Sequence, residues 1–471
     1  MSEHPSLNVV LHDVRIIDPA HGRDGVGDVV VLNGFVSEDM SSVPADCAHV
    51  DCRGLVAAPA FVDLHCHLRE PGFEEKETIA TGTAAAAAGG FGLVCCMPNT
   101  RPPIDTVAHL QSLQDIIARD AVVKVLPVAC VTLGRRGGSL VDIRSLAAAG
   151  VAGFSDDGDY VADATVMRDA LSQAARAGLA VMDHAQDGGL VSGGVLHEGE
   201  VARRLKLRGM APEAEELAIA RDIALARMTG GHAHIQHITT ARGVEMVRLA
   251  REEGVHVTAE ATPHHLVLTD EDAVTVDASG VACFDNNAKV NPPLRSTADA
   301  AGVVRGVVDG VIDAIATDHA PHSAADKLGS PGAAAFGISV FETALAMVLS
   351  LYHQGQVSLT RLVELLTSGP AAVLGLRFTC PSMTPGSHAG MVLFDPEASW
   401  VVDPSRFLSR GRNTPLEGWT LRGRVLATFV DGRCAYAADP LAHRCSGAVL
   451  VAARKLGASG ADSGILNETQ E

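Results

Sequence analysis

The feature that most constrains this chain is a repeated alternation between short apolar runs and helical segments. Runs of strand length recur between residues 60 and 319, and most are followed by an Ala-rich or amphipathic stretch of helix length. Such a pattern is typical of a closed (β/α)₈ barrel or an open doubly wound sheet. The barrel is favoured because no glycine-rich phosphate turn follows the first run. The eight runs begin at Ala60, Gly90, Val122, Val151, Leu179, His232, Val255 and Ile312.

Both ends of the chain have a residue pattern that differs from the middle. Short β-like runs separated by Gly, Asp and Pro fill residues 7–58, which predicts a small antiparallel sheet, and similar runs return late in the chain. We therefore predict a discontinuous β-sandwich domain, formed by residues 1–58 and 378–440, beside a metal-dependent hydrolase barrel over residues 59–377. Residues 441–471 form an Ala/Gly/Ser-rich tail, and the sequence leaves open whether it is flexible or an oligomer contact.

Charge and composition exclude several classes of function. The net charge of -19 argues against nucleic acid and anionic membrane as partners, because phosphate binding requires a basic surface. The N-terminus lacks the features of a secretory signal, and glycines interrupt the longest uncharged stretch, so no membrane span is expected. The ten cysteines show no CxxC pair, which favours a reduced, cytoplasmic protein.

Side chains able to bind a metal follow five of the predicted strands. In a (β/α)₈ barrel the carboxyl ends of the strands meet at one rim, where active sites are built. We therefore expect one cluster there, because scattered histidines would not all fall at strand ends. The candidates at these ends are His65 and His67, Asp156 and Asp157, His184, His237, and Asp318 and His319.

The segment FVDLHCHLREPG, at residues 61–72, places three such residues side by side. Side chains alternate between the two faces of a strand, so His65 and His67 point into the barrel and Cys66 points toward the helices. Cys66 is accordingly expected to be a packed apolar residue. Asp63 shares the parity of the two histidines and is a candidate to hold a ligand by a hydrogen bond.

The expected ligands are imidazoles and carboxylates without a thiolate, which is typical of a catalytic zinc site with open positions. Six ligands exceed what one tetrahedral ion uses, so we predict a two-metal site with a bridging aspartate. Spacing alone does not decide which of Asp156 and Asp157 faces the metal. The predicted set is His65, His67, Asp157, His184, His237 and Asp318.

Seven motifs together resemble the class I dihydroorotases of the amidohydrolase superfamily. The resemblance runs from about Asp18 to Arg433, with the motifs in the family's order. The combination of LREPG, MPNT and ATDHAPH is highly specific, whereas the HxH pair alone occurs throughout the superfamily. The motifs are DLHCHLREPG, MPNTRPP, FSDDG, TAEATPHHL, NPPLR, ATDHAPH and FGISVFETAL.

The resemblance implies a barrel with a small β-sandwich and two zinc ions. It implies that His65, His67, Asp157 and Asp318 hold the first ion, and that Asp157, His184 and His237 hold the second. It also selects Asp157 rather than Asp156 as the bridging ligand. Many relatives have a carbamylated lysine at this place, but this chain has an aspartate, as class I dihydroorotases do.

The activity implied is the reversible cyclisation of N-carbamoyl-L-aspartate to L-dihydroorotate in pyrimidine (UMP) synthesis. Asp318 would act as general base and then as general acid. Arg69 offers a planar two-donor fork for the substrate carboxylate. The further substrate-binding residues implied are His67, Asn99, Asn291 and His322, with Phe336 and Gly337 from a loop.

Two alternatives remain open. The first is another cyclic amidohydrolase of the hydantoinase or allantoinase kind, against which both Asp157 and Arg69 count. The second is a catalytically silent dihydroorotase-like subunit that scaffolds aspartate transcarbamoylase. The presence of the full ligand set counts against this second alternative. For an active chain, the sequence leaves open a homo-oligomer and a complex with aspartate transcarbamoylase.

Overall fold

The structure is a computed structural model that describes residues 7–45, 47–191, 193–276, 279–376, 381–442 and 444–446. Most of the tail predicted at 441–471 lies outside these residues, so its role stays a prediction. No helix in the described part of the chain has both the length and the apolarity needed to cross a bilayer.

The strands that the structure describes are numbered along the chain. They are β1 (Val9–Asp18), β2 (Arg23–Leu32), β3 (Phe35–Ser37), β4 (Ala48–Asp51), β5 (Val56–Pro59), β6 (Phe61–Cys66), β7 (Phe91–Cys96), β8 (Lys124–Pro127), β9 (Gly153–Phe154), β10 (Ala180–Asp183), β11 (Leu196–His197), β12 (Gly209–Met210), β13 (His232–Ile235), β14 (Val257–Ala261), β15 (Val274–Val276), β16 (Ala282–Phe284), β17 (Ala314–Ile315), β18 (Met391–Val401), β19 (Thr420–Val430), β20 (Arg433–Ala437) and β21 (Cys445–Ser446).

The α-helices are numbered in the same way. They are α1 (Ile79–Ala88), α2 (Val107–Asp120), α3 (Ile143–Ala148), α4 (Ala164–Ala177), α5 (Gly188–Val191), α6 (Glu200–Leu205), α7 (Glu213–Thr229), α8 (Ala241–Glu252), α9 (Pro263–Val267), α10 (Thr297–Val308), α11 (Phe341–His353), α12 (Leu359–Leu366), α13 (Ser368–Val373) and α14 (Asp439–Ala442).

Eight of the described strands close into a parallel barrel. Strands β6, β7 and β8 pair in that order, and β9, β10, β13, β14 and β17 pair in a second parallel set. Two parallel bridges join the sets, one between Ala129 and Phe154 and one between Cys66 and His319. The ring is therefore complete, and the predicted (β/α)₈ barrel is confirmed.

Burial explains why these segments form barrel strands. Every residue of β6 and β7 is buried, as expected when a parallel strand is covered on both faces. The connecting helices begin at side-chain caps, such as Asp163, which accepts hydrogen bonds from the first turn of α4. On α4 the buried residues Met167, Ala170, Leu171 and Ala174 share one stripe, and this stripe packs against the barrel core.

Strands from both ends of the chain form one nine-stranded sheet, whose main path runs β20-β19-β18-β5-β1-β2-β3. The prediction of an antiparallel sheet is wrong in one respect, because β1 pairs in parallel with β4 and β5. The hairpin partner β2 already occupies one edge of β1. Strands β4 and β5 lie along the other edge of β1 and run in the same direction as it. The predicted domain boundaries at 58 and 378 stay predictions.

Candidate active site

The carboxyl ends of the barrel strands bring the six predicted metal ligands together at one rim. They lie at or just beyond the carboxyl ends of β6, β9, β10, β13 and β17, in agreement with the position of active sites in such barrels. None of the six is more than 5% exposed, so their charges lie almost entirely out of water. They are His65, His67, Asp157, His184, His237 and Asp318.

One group of ligand atoms forms around the HxH pair. Nε2 of His65 lies 3.2 Å from Oδ1 of Asp157 and 3.6 Å from Oδ1 of Asp318. Nε2 of His67 lies 3.0 Å from Oδ1 of Asp318 and 3.5 Å from Oδ2 of Asp157. Two imidazole nitrogens and two carboxylates thus converge on one point.

A second group shares Asp157 with the first. Nδ1 of His184 lies 2.8 Å from Nε2 of His237. These two nitrogens lie 3.6 Å and 3.8 Å from Oδ1 of Asp157. The Asp157 carboxylate therefore stands between the two groups, in the place that a bridging ligand would occupy.

The residues present fit a divalent metal ion. The ligand atoms of His65, Asp157 and His237, and likewise those of His65, His67 and Asp318, all lie within 4.8 Å of one another. Nε2 of His65 is buried and makes no hydrogen bond to any residue that the structure describes. A buried imidazole nitrogen of this kind, facing two carboxylates, has a lone pair available to coordinate a metal ion.

The charges in the cluster favour a bound cation. Burial raises the pKa of Asp157 and Asp318, but the adjacent imidazoles outweigh it, so the pKa of each carboxyl lies well below its usual range. Burial also opposes protonation of His65, yet the two carboxylates raise its pKa well above the ordinary value. Positive charge is thus strongly favoured at this point, and a metal ion can supply it in place of a proton.

The neighbours of the HxH pair are placed as strand alternation predicts. Cys66 is buried, and its Sγ lies 3.3 Å from the carbonyl oxygen of Cys95, away from the ligands. Asp63 accepts hydrogen bonds from the backbone N–H and the hydroxyl of Thr317, at 2.7 Å each. It therefore ties the first barrel strand to the segment that carries Asp318, rather than holding an imidazole directly.

The two aspartates of the FSDDG motif face opposite environments. Asp156 accepts hydrogen bonds from the backbone N–H groups of Val131 and Thr132, at 2.8 and 3.1 Å. Its carboxylate is thus used in joining neighbouring strand ends. Of the two aspartates, only Asp157 reaches both groups of ligands. Sequence spacing could not decide between them.

Asn99 and Asn291 stand against the ligands. Oδ1 of Asn99 lies 3.0 Å from Nδ1 of His67, and its amide nitrogen lies 3.2 Å from Oδ2 of Asp157. The amide nitrogen of Asn291 lies 3.2 Å from Nε2 of His184, and its Oδ1 is buried with no hydrogen-bond partner in the described part of the chain. Both amides are therefore positioned to touch the ligands and a molecule bound beside them.

A cationic pocket borders the cluster. The Arg69 guanidinium donates to the carbonyl oxygen of Pro321 at 3.2 Å and lies 3.3 Å from Nε2 of His322. Burial lowers the pKa of Arg69 to about 10, which leaves it protonated at neutral pH. Lys76, which the sequence analysis missed, places Nζ 3.4 Å from Nδ1 of His322. Its only sequence signal is its place in the loop after LREPG.

The loop that carries Phe336 and Gly337 closes over this pocket. The carbonyl oxygen of Phe336 lies 2.8 Å from Nε2 of His322. The carbonyl oxygen of Gly337 accepts a hydrogen bond from the Asn413 side chain at 2.9 Å. Gly337 has a φ of +140°, and a Cβ there would lie 2.6 Å from the carbonyl oxygen of Ala320, so only glycine fits.

A closed (β/α)₈ barrel with a His–Asp cluster at its carboxyl rim is the arrangement typical of metal-dependent enzymes of the amidohydrolase type. Among solved structures, a D-hydantoinase matches with a TM-score of 0.77 at 24% identity, covering 91% of this chain and 95% of that chain. The L-hydantoinase (dihydropyrimidinase) of Arthrobacter aurescens also gives 0.77 at 24% identity, covering 91% and 96%. At this identity the likeness shows the shared fold alone.

Sequence comparison is more specific. A family model described as dihydro-orotase-like matches residues 54–243. A dihydroorotase of Anaeromyxobacter dehalogenans (strain 2CP-1 / ATCC BAA-258) is 45% identical over 427 residues, covering 90% of this chain and 97% of that protein. A dihydroorotase of Aquifex aeolicus (strain VF5) is 40% identical, covering 91% and 99%. The chain belongs to the dihydroorotase family.

Proposed function

We propose that this chain is a dihydroorotase, which interconverts N-carbamoyl-L-aspartate and L-dihydroorotate as a step of pyrimidine synthesis. The observation that carries the proposal is the Arg69 guanidinium beside the His–Asp cluster. It hydrogen bonds to a backbone carbonyl, and among the described residues no carboxylate oxygen lies within ion-pair distance of it. A half-buried guanidinium that no carboxylate contacts directly favours a substrate that brings its own carboxylate.

The metal we propose is zinc, with two ions per subunit and Asp157 shared between them. His65, His67, Asp157 and Asp318 would hold one ion, and Asp157, His184 and His237 the other. The donor set consists of imidazoles and carboxylates without a thiolate, and this composition supports zinc. When bound, the ions supply Lewis-acid stabilisation of negative charge on the reacting carbonyl oxygen.

Asp318 is the proposed general base. Its carboxyl has a lowered pKa and is therefore ionised at neutral pH. In the hydrolytic direction a water oxygen forms a bond to the ring carbonyl carbon while Asp318 accepts the water proton. The carbon–nitrogen bond then breaks, and Asp318 returns the proton to the leaving nitrogen. Ring closure follows the same steps in reverse.

Arg69 and His322 orient the substrate. The guanidinium donates in parallel to both oxygens of a carboxylate, which fixes the direction of the ring as well as its charge. Asn99, Asn291 and the backbone of Phe336 and Gly337 surround the same space. In this proposal these groups would hold the reacting carbonyl next to the metal ligands.

The decisive experiment compares substrates on the purified, metal-loaded protein. We expect turnover of L-dihydroorotate, with kcat/KM for the uncharged rings hydantoin and allantoin lower by at least roughly 100-fold, because an unpaired Arg69 penalises them. Better turnover of hydantoin or allantoin would favour the first alternative. A protein that binds no metal and turns over none of the three would favour the scaffolding subunit. A metal count on the active protein tests the two zinc ions.

The proposal extends to location and assembly. A cytoplasmic location is supported by cysteine spacing that lacks any disulfide framework. Homo-oligomerisation, and association with aspartate transcarbamoylase, are tested by measuring the mass of the protein in solution alone and mixed with that enzyme.

A further inference from the structure

The barrel interior beneath the metal ligands contains a column of polar side chains that the proposed function does not use. Glu260, on β14, is fully buried. Its Oε1 lies 2.9 Å from Nδ1 of His65, and its Oε2 lies 3.0 Å from Nε2 of His234 on β13. One carboxylate therefore links a predicted metal ligand to a second buried histidine.

The column continues to the opposite face of the barrel. Nδ1 of His234 lies 2.8 Å from the hydroxyl of Thr258, which lies 2.7 Å from Nε2 of His232. The His232 ring, at the start of β13, stacks on exposed His256 with centroids 4.1 Å apart. Four hydrogen bonds thus connect the site at the carboxyl rim with the amino-terminal face.

Such groups are costly at the centre of a barrel, which is ordinarily filled by branched apolar side chains. A buried carboxylate is tolerated only when it is paired and hydrogen bonded. Both oxygens of Glu260 meet this condition, and neither Glu260 nor His234 reaches the substrate pocket. Their placement is explained if they hold the His65 imidazole in position.

The two hydrogen bonds to Glu260 have only one consistent direction. An ionised carboxylate only accepts, so Nδ1–H of His65 and Nε2–H of His234 must both donate to Glu260. In a neutral His234, Nδ1 accepts from the Thr258 hydroxyl, and that oxygen accepts from Nε2–H of His232. Gln236 also approaches Nδ1 of His65, at 3.2 Å, but it is neutral and farther away than Glu260.

We propose that Glu260 is a positioning residue for the metal site and that His234 holds it in place. By accepting from Nδ1–H, Glu260 leaves the lone pair of His65 on Nε2, the atom that faces Asp157 and Asp318. It also fixes the ring plane and makes the imidazole a stronger donor. This inference rests on the proposed function, because it assumes that His65 binds a metal.

The test is the dissociation constant for Zn²⁺, measured by competition with a chelating dye on full-length protein. E260Q keeps the shape but loses the charge, and we expect it to bind Zn²⁺ about 10- to 100-fold more weakly. The visible spectrum of the Co²⁺-loaded variant should shift as well, since His65 is reoriented. The matched control is H256A, at the far end of the column, which should bind as wild type does.

An E260Q protein that folds and binds Zn²⁺ within twofold of wild type, with an unchanged Co²⁺ spectrum, would overturn the inference while leaving the proposed function intact. A wild-type protein that binds no metal would overturn both. If E260Q does not fold, H234Q and H234L replace it. H234Q retains an amide donor for Glu260 and should bind more tightly than H234L by about tenfold; equal affinities would refute the role of His234.

Discussion

Oδ1 of Asp318 lies 3.0 Å from Nε2 of His67, and both side chains are almost completely buried. The pair joins the first and last strands of the barrel, across 251 positions of sequence. This contact places the proposed base directly against a proposed metal ligand, so proton transfer and metal binding would depend on the same pair of side chains.

Replacing Asp318 with Asn should separate these two roles. The amide cannot accept a proton, so we expect kcat to fall by about 10²- to 10⁴-fold. Metal content should fall much less, because the other ligands remain. Steady-state kinetics and a metal count on the same sample check this, and near-normal turnover in D318N would refute the assigned base.

Replacing Arg69 with Ala should weaken carboxylate recognition. We expect kcat/KM for dihydroorotate to fall by about 10²-fold or more, mainly through KM. R69K keeps a charge but not the two-donor fork, and should recover only part of the loss. R144A, which removes an exposed arginine of α3, serves as the control. If R69A and R144A have the same kcat/KM, Arg69 does not bind the substrate.

Replacing Gly337 with Ala should damage the loop over the pocket. The new Cβ would collide with the carbonyl oxygen of Ala320, and the φ of +140° is unfavourable for alanine. We expect kcat/KM to fall by about tenfold or more, since strain of this kind costs about 1–3 kcal/mol. G332A, in the same loop with open space around it, should be nearly silent. The values of kcat/KM for G337A and G332A, measured side by side, test this prediction; equal values would refute it.

Glu342 should make stability depend on pH. Burial raises its pKa from 4.5 to about 8, so the folded protein binds this proton more tightly than the unfolded chain does. Its contribution to stability is therefore present below the unfolded pKa and is lost as pH rises to about 8. E342Q, which cannot ionise, should gain stability relative to wild type as pH rises from about 5 to about 9.

The size of this difference should be about 1–3 kcal/mol of unfolding free energy. Denaturant unfolding of both proteins across the pH range measures it. A difference between E342Q and wild type that does not change with pH would show that Glu342 does not titrate in this window.

Part of the candidate site was predictable because side-chain direction repeats along a strand. The period of two placed His65 and His67 on one face and Cys66 on the other, and the structure confirms the burial of Cys66 against the neighbouring strand. The other ligands were predicted by a different rule, namely that the carboxyl ends of barrel strands meet at one rim. Strand alternation could not decide which of Asp156 and Asp157 faces the ligands, because both lie beyond the two residues of β9; the family resemblance alone selected Asp157.

The amino-acid sequence by itself determined the order of strands and helices, the closed barrel and the chemical types at its rim. Hydrophobic periodicity reports how each segment faces its own surroundings, and that information is local. The tertiary structure decided which distant side chains touch: Lys76 against His322, and Glu260 against His65 across 195 positions. Those contacts depend on the stagger between barrel strands, which arises only when the strands pack and close into a ring.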